Sequence, residues 1–208
     1  MAVVITVAQQ KGGAGKTMLA ANLAALYAPV RRTALLDIDP QHTLARWAQL
    51  RQAHPGVTAI PCSDVAGWRL SGELDRLMRS YDLVVIDSPP QIDTDSRRAI
   101  RAAHLVLVPV QPSAPDRWAA MGTLALAATE KRPAAIVLNR APTSPGPRFK
   151  ALGEAGGMGH TLLPSCLGNR SGFAQAFAQG LGVVEAAPRS AAAAEMRALA
   201  ERVWELIA

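Results

Sequence analysis

The sequence predicts an α/β fold, a mostly parallel central sheet with helices on both faces, in a single domain over residues 1–208. Three observations predict it. Short apolar runs alternate with stretches of helical periodicity along the whole chain. The runs are continuously apolar, as strands covered by helices on both faces must be. A glycine-rich loop sits between the first run and the first helical stretch, in the order strand, loop, helix. Length suits one domain with a substantial core, and half of the residues are hydrophobic.

The elements follow in order. Val3–Ala8 is the first strand-like run, and Leu19, Leu23, Leu26 and Tyr27 then recur at helical spacing, predicting a helix near 17–28. Thr33–Ile38 precedes a helical stretch near 42–53, and Val57–Ile60 precedes one near 68–80. Leu83–Ile86 runs into Asp87-Ser88-Pro89-Pro90, a proline-marked loop before a helix near 94–103. Leu105–Val110 leads to a helix near 116–130, and Ala134–Leu138 to one near 147–154. Thr161–Leu163 is the weakest run, followed by helices near 172–179 and 190–207. The last helix gathers Met196, Leu199, Ala200, Val203 and Ile207 on one face, a pattern for packing on the core. Its Glu195, Glu201 and Glu205 argue against acidic lipid as its target.

Composition excludes several classes. No apolar stretch reaches the length of a membrane-spanning helix. The start of the chain has no basic segment before Val3–Val7, so no signal peptide and a cytoplasmic protein are expected. Cys62 and Cys166 are far apart and form no CxxC pair, so they read as ordinary buried thiols and count against an iron–sulfur site. The formal net charge of +6 admits nucleic acid or acidic lipid as a partner, or serves solubility alone.

The chemistry concentrates at strand ends, where open parallel sheets bind ligands. Residues 10–17 read Gln-Lys-Gly-Gly-Ala-Gly-Lys-Thr, a G-x-x-x-x-G-K-T phosphate-binding loop. Gly12, Gly13, Ala14 and Gly15 can turn backbone N–H groups around phosphate oxygens. Lys16 can reach the β- and γ-phosphates, the Thr17 hydroxyl can ligate Mg²⁺, and Met18 continues the loop into the helix. Lys11 adds a second ammonium beside the same turn, a repulsive pair unless a polyanion lies between them. Asp37 and Asp39 project to one side of the second strand's end, in Asp37-Ile38-Asp39-Pro40-Gln41. The fourth run delivers Asp87 to its tip, where a carboxylate can hold a magnesium water. Asn139 offers a donor and an acceptor for a base edge.

These motifs resemble those of the ParA/MinD family of deviant-Walker P-loop ATPases, whose loop reads K-G-G-x-G-K-T and whose second strand ends in D-x-D-P-Q. The resemblance extends through Gly168-Asn169-Arg170 and Phe173 to Ala191–Glu195 and is closest to the short ParA group. It implies ATP and Mg²⁺ as cofactors. It implies that Lys11 reaches a partner subunit's nucleotide in an ATP-bound homodimer, and that Asp39 positions the hydrolytic water. It further implies that Asp37 supports the magnesium site with Thr17 and Asp87, and that Asn139 and Pro112 lie near adenine. Ser88 to about Asp95 would form a second switch. The family's non-specific DNA surface suggests Arg148, Lys150, Arg170 and Arg189. A ParB-like or cargo-adaptor protein would stimulate slow hydrolysis, and the protein would associate with the nucleoid. The first strand begins at residue 3, so a helix-turn-helix extension and operator binding are not expected. Met18 stands where many relatives have threonine, and an effect on packing is expected. The alternatives are a MinD-like membrane-positioning ATPase, a P-loop kinase or ligase of a small metabolite, and a regulatory module that holds nucleotide without turnover.

Overall fold

The computed structural model describes residues 2–91, 93–142 and 161–207. Seven strands form one sheet: β1 (Val3–Val7), β2 (Thr33–Asp37), β3 (Cys62–Asp64), β4 (Leu83–Asp87), β5 (Leu105–Val110), β6 (Ala134–Ala141) and β7 (Thr161–Gly168). Their order is β3-β2-β4-β1-β5-β6-β7, and every described pairing is parallel. The described helices are α1 (Lys16–Tyr27), α2 (Thr43–Arg51), α3 (Arg69–Ser80), α4 (Thr94–Ala102), α5 (Ala114–Thr129), α6 (Ser171–Ala178), α7 (Val183–Ala186) and α8 (Ala191–Glu205).

Strand periodicity splits the core into two layers. Ile5, Val7, Leu83 and Val85 point to one face and pack with Leu19 and Leu23 of α1, Trp47 of α2 and Met196 and Leu199 of α8. Val4, Val84 and Ile86 point to the other face and meet Leu70, Leu74 and Leu77 of α3. Val106, Val108 and Val110 meet Leu124 and Ala127 of α5. Each central strand is therefore buried on both faces, which is why it reads as a continuous apolar run. The stripe of α8 is spent on the core: Met196, Leu199, Ala200 and Val203 are all buried.

The sheet differs from expectation at its edges. The expected third strand, Val57–Ile60, is not strand; pairing with β2 starts where Leu35 N–H donates to the Pro61 carbonyl (2.8 Å), and β3 is Cys62–Asp64. An edge strand is chosen by the register its neighbour offers, not by local apolarity. β6 and β7 run further than their apolar cores, with register shifts between Ile136 and Leu138 and between Leu138 and Ala141. The short α7 carried no periodic signal. The helix expected near 147–154 lies outside the described residues.

Candidate nucleotide-binding site

The loop from Gln9 to Gly15 leaves the tip of β1 and feeds directly into α1. Gly13 (φ 78°) and Gly15 (φ 94°) lie in the left-handed region, where a side chain strains the backbone. Gly15 has a second constraint: a Cβ there would stand 2.2 Å from Asn139 Nδ2. Neighbouring strand ends hold the loop by its carbonyls. Asn139 Nδ2 donates to the Ala14 carbonyl (2.7 Å), and Gln111 Nε2 donates to that of Gly13 (2.8 Å). Among the described hydrogen bonds, the amides of Gly12, Gly13, Ala14 and Gly15 donate to nothing. Four such donors at the start of a helix form a concavity for an anion.

Lys16 is buried beneath this loop. Burial depresses its pKa, against the raising effect of Asp87 and Asp39. Asp87 is fully buried at the tip of β4, and neither carboxylate oxygen completes a hydrogen bond. Burial pushes this carboxyl well up; the Thr17 hydroxyl and Lys16 oppose the shift, and Asp37 and Asp39 add to it. A buried carboxylate without a partner is costly unless something arrives to pair it. Thr17 and Asp87 fit a hard divalent cation carried in with phosphate oxygens.

Asp37 is equally buried but already satisfied. Its Oδ1 accepts from Asp39 N–H (3.0 Å) and its Oδ2 from Ala45 N–H (2.9 Å). It therefore shapes the turn from β2 into α2, and its oxygens are less free for a metal than those of Asp87. Burial still raises its pKa despite the two N–H bonds. Asp39 is half-buried, and its Oδ1 accepts from Gln41 N–H (3.0 Å).

Lys11 has a partner within the chain, the Asp116 carboxylate near the start of α5. This corrects the expectation that only a second subunit's phosphates offer it one. Ser113 caps α5 and donates to the same Oδ2 (2.5 Å). Burial alone would raise the Asp116 pKa, but the Lys11 and Ser113 hydrogen bonds outweigh it and hold the carboxyl low. A Ser-x-x-Asp cap is legible in the sequence; that the acid also takes Lys11 is not.

A cavity of about 640 Å³ opens beside Gly15, lined by Met18, Asn139, Arg140, Arg170, Phe173 and Phe177 among others. Its volume and mixed lining suit a nucleoside. The Asn139 side chain works chiefly as a strut, since its Oδ1 also accepts from Arg140 N–H (2.9 Å). That bond supports Arg140 at φ 51°. Pro112 is exposed after β5 and does not line the cavity. Arg170, expected on a DNA surface, lines this cavity and pairs with Glu195 at 2.6 Å. Arg189 is exposed, whereas Arg148 and Lys150 lie outside the described residues, as does Ile92 of the second switch.

Residues 5–144 match the CobQ/CobB/MinD/ParA nucleotide binding domain. The maintenance of carboxysome distribution protein A of Gloeobacter kilaueensis is 37% identical over 54% of this chain, a match spanning about half (51%) of that protein. The protein of the same name from Halothiobacillus neapolitanus is 26% identical over 92% of this chain and 91% of its own length. The chromosome-partitioning ATPase Soj of Thermus thermophilus is 32% identical over 76% of this chain and 71% of that protein. In fold, apo McdA from Cyanthece superposes with a TM-score of 0.81 at 18% identity, with both chains fully covered. The septum site-determining protein MinD with Mg-ADP from Pyrococcus horikoshii gives 0.80 at 18% identity, over 99% of this chain and 97% of that one.

Proposed function

We propose that this chain, which belongs to the CobQ/CobB/MinD/ParA family of nucleotide-binding domains, is an ATP-driven positioning switch. ATP and Mg²⁺ close two copies face to face. The closed pair binds duplex DNA without sequence preference, and a partner protein stimulates slow hydrolysis that releases it. The cargo is a plasmid, a chromosome region or a protein assembly. The observation that carries the reading is the pair of lysines on one loop, above a buried carboxylate with no partner.

Each residue has a role. The loop amides and Lys16 bind the phosphates. Mg²⁺, when bound through Thr17 and Asp87, would neutralise phosphate charge. Asp39, with one oxygen left over from its turn, orients the attacking water. Asp37 holds the turn that presents Asp39. Lys11 leaves Asp116 for the partner copy's phosphates, exchanging one charge-assisted hydrogen bond for another. The Asp116 contact makes that exchange conditional on bound nucleotide. Two observations weigh against the alternatives. The apolar stripe of α8 is buried, leaving it none to lay on lipid. A metabolite kinase needs neither Lys11 nor the Asp39 turn.

The test is turnover with and without DNA, joined to sedimentation. Asp39→Ala should keep ATP bound, stop turnover and sediment as a dimer with ATP but not with ADP; adding Lys11→Ala should return it to monomer. Wild-type turnover by Asp39→Ala would remove its assigned role. The DNA arm is retardation of the hydrolysis-blocked dimer at several salt concentrations. With about four phosphate contacts, the slope of log K against log salt should be about −3.6. Arg189→Ala should weaken all sequences alike. Arg170→Ala should act on nucleotide affinity more than on DNA, since its charge is held by Glu195 beside the cavity. DNA binding that is equally strong without nucleotide would sink the switch.

A further inference from the structure

One short segment at the sheet edge, Asp64–Gly67, touches both stretches of chain that flank the phosphate site. On the β2 side, His42 Nδ1 donates to Asp64 Oδ1 (2.8 Å). On the β4 side, Gly67 N–H donates to Asp95 Oδ2 (2.5 Å). Arg98 closes that side, donating to the Gly67 carbonyl (3.0 Å) and to Asp95 Oδ1 (3.1 Å). Asp64 is also the register partner of Asp37, so the segment starts level with the carboxylate layer.

His42 is the informative member. Its φ is 51°, left-handed, and it is not glycine. Its N–H closes the turn on the Asp39 carbonyl (2.9 Å), and its carbonyl takes the first helical bond of α2 from Arg46 (3.0 Å). Glycine would adopt this backbone freely, but glycine could not reach Asp64. The conformation is one that a histidine adopts at a cost, and the contact it gains is Asp64. The opposite end is built as firmly. Asp93 caps α4 by accepting from Ser96 N–H (2.7 Å), and Ser96 Oγ donates to the Gln91 carbonyl (2.8 Å).

We propose that Asp64–Gly67 is a bracket that sets the Asp39 turn and the start of α4 in one relative position, with His42 and Asp95 as positioning residues for hydrolysis. The proposal rests on the nucleotide-hydrolysing reading above. His42 touches no reacting atom; it acts through the backbone of residues 39–42. His42 and Asp64 are about half exposed (56% and 44%), so solvent screens their attraction. The pair therefore contributes little to fold stability, and its effect falls on orientation, where small displacements are costly.

Three variants separate this from a merely structural contact. His42→Gly suits the backbone but loses the donor. His42→Asn tolerates the left-handed region and can still donate to Asp64. Asp64→Ala removes the acceptor and leaves the turn's own residues intact. His42→Gly and Asp64→Ala should melt near wild type and bind ATP normally, yet lose roughly tenfold in kcat at unchanged KM. His42→Asn should keep most of the rate. Amide exchange of nucleotide-free protein should quicken over residues 38–42 in His42→Gly and Asp64→Ala but not in His42→Asn. Wild-type kcat, or wild-type exchange in Asp64→Ala, overturns the bracket. If the unmutated protein hydrolyses no ATP, the function reading fails, and the exchange measurement alone then decides whether the bracket exists.

Discussion

Asp37 and Asp87 face each other in register at the tips of neighbouring strands, both fully buried, yet they end in opposite states. Asp37 accepts two backbone N–H groups from the turn it organises. Asp87 accepts none, although Lys16 and Thr17 lie close enough to affect its titration. Residue type and depth are the same; the chain that follows differs. After β2 the backbone folds back over its own strand end and supplies donors. After β4 it leaves through Ser88, whose hydroxyl instead ties to the Val7 carbonyl (2.9 Å), and two prolines that have no N–H to give. The satisfied acid belongs to the architecture, and the unsatisfied one is the acid to which the proposed function gives the metal.

The largest expected effect tests that division directly. Asp87→Ala should weaken Mg-dependent ATP binding by roughly 100-fold in calorimetric titration. In the absence of nucleotide the same variant should be more stable, by about 1–3 kcal/mol, because an unpaired buried carboxylate is gone. A variant that loses both affinity and apo stability would show that Asp87 is structural after all.

Asp37→Ala should behave in the reverse way. It strands the amides of Asp39 and Ala45, so urea unfolding should report a loss of about 2 kcal/mol. ATP affinity should fall less than in Asp87→Ala. Equal losses of affinity in the two variants would place both acids in the metal shell.

The pH dependence sharpens the contrast. The Asp87 pKa is raised in the fold to about 8 from an ordinary 3.8. Its contribution to stability is therefore present below the unfolded value and is lost as pH rises through the folded value. Asp37 shifts in the same direction. Nucleotide-free protein should lose stability between about pH 4 and about pH 8, and Asp87→Asn should flatten most of that slope. An unchanged slope in Asp87→Asn would move the effect to another group.

Lys11 and Asp116 come last. The lysine is 39% exposed, but Asp116 is buried and keeps only the Ser113 hydroxyl once Lys11 is removed, so Lys11→Ala should cost about 1 kcal/mol in thermal unfolding. Asp116→Asn, which loosens the hold on Lys11, should let the hydrolysis-blocked protein dimerise at lower ATP concentration. Dimerisation that needs more ATP would make Asp116 part of the closed state rather than a restraint on the open one.

The fold was legible wherever burial is two-sided. β1, β4 and β5 are central and flanked by helices, so their sequences are almost wholly apolar, with Thr6 and the terminal Asp87 the polar members of β1 and β4. β3 was misplaced because an edge strand is only partly buried: Cys62 and Ser63 are half-exposed and Asp64 is exposed, so no hydrophobic pattern marks them. In the candidate site, the glycine loop, Lys16, Thr17 and Asp87 stood out as candidates because phosphate chemistry demands those residue types at that spacing, and the structure brings them together at the tips of β1 and β4. Asn139 was expected at the end of its strand and lies there, whereas Arg170 was expected on a DNA surface and follows a strand that runs five residues further than its expected end. Their hydrogen-bond partners, Ala14 and Glu195, are 125 and 25 residues away.

The sequence by itself determined the sheet class, the phosphate loop and the acids at the strand tips, because local spacing and side-chain chemistry suffice for these. Only the tertiary structure decided which acid is satisfied, where Lys11 rests and what His42 holds. Those outcomes depend on which donors long-range folding brings within hydrogen-bond reach, and a buried polar group is defined by the partner it finds.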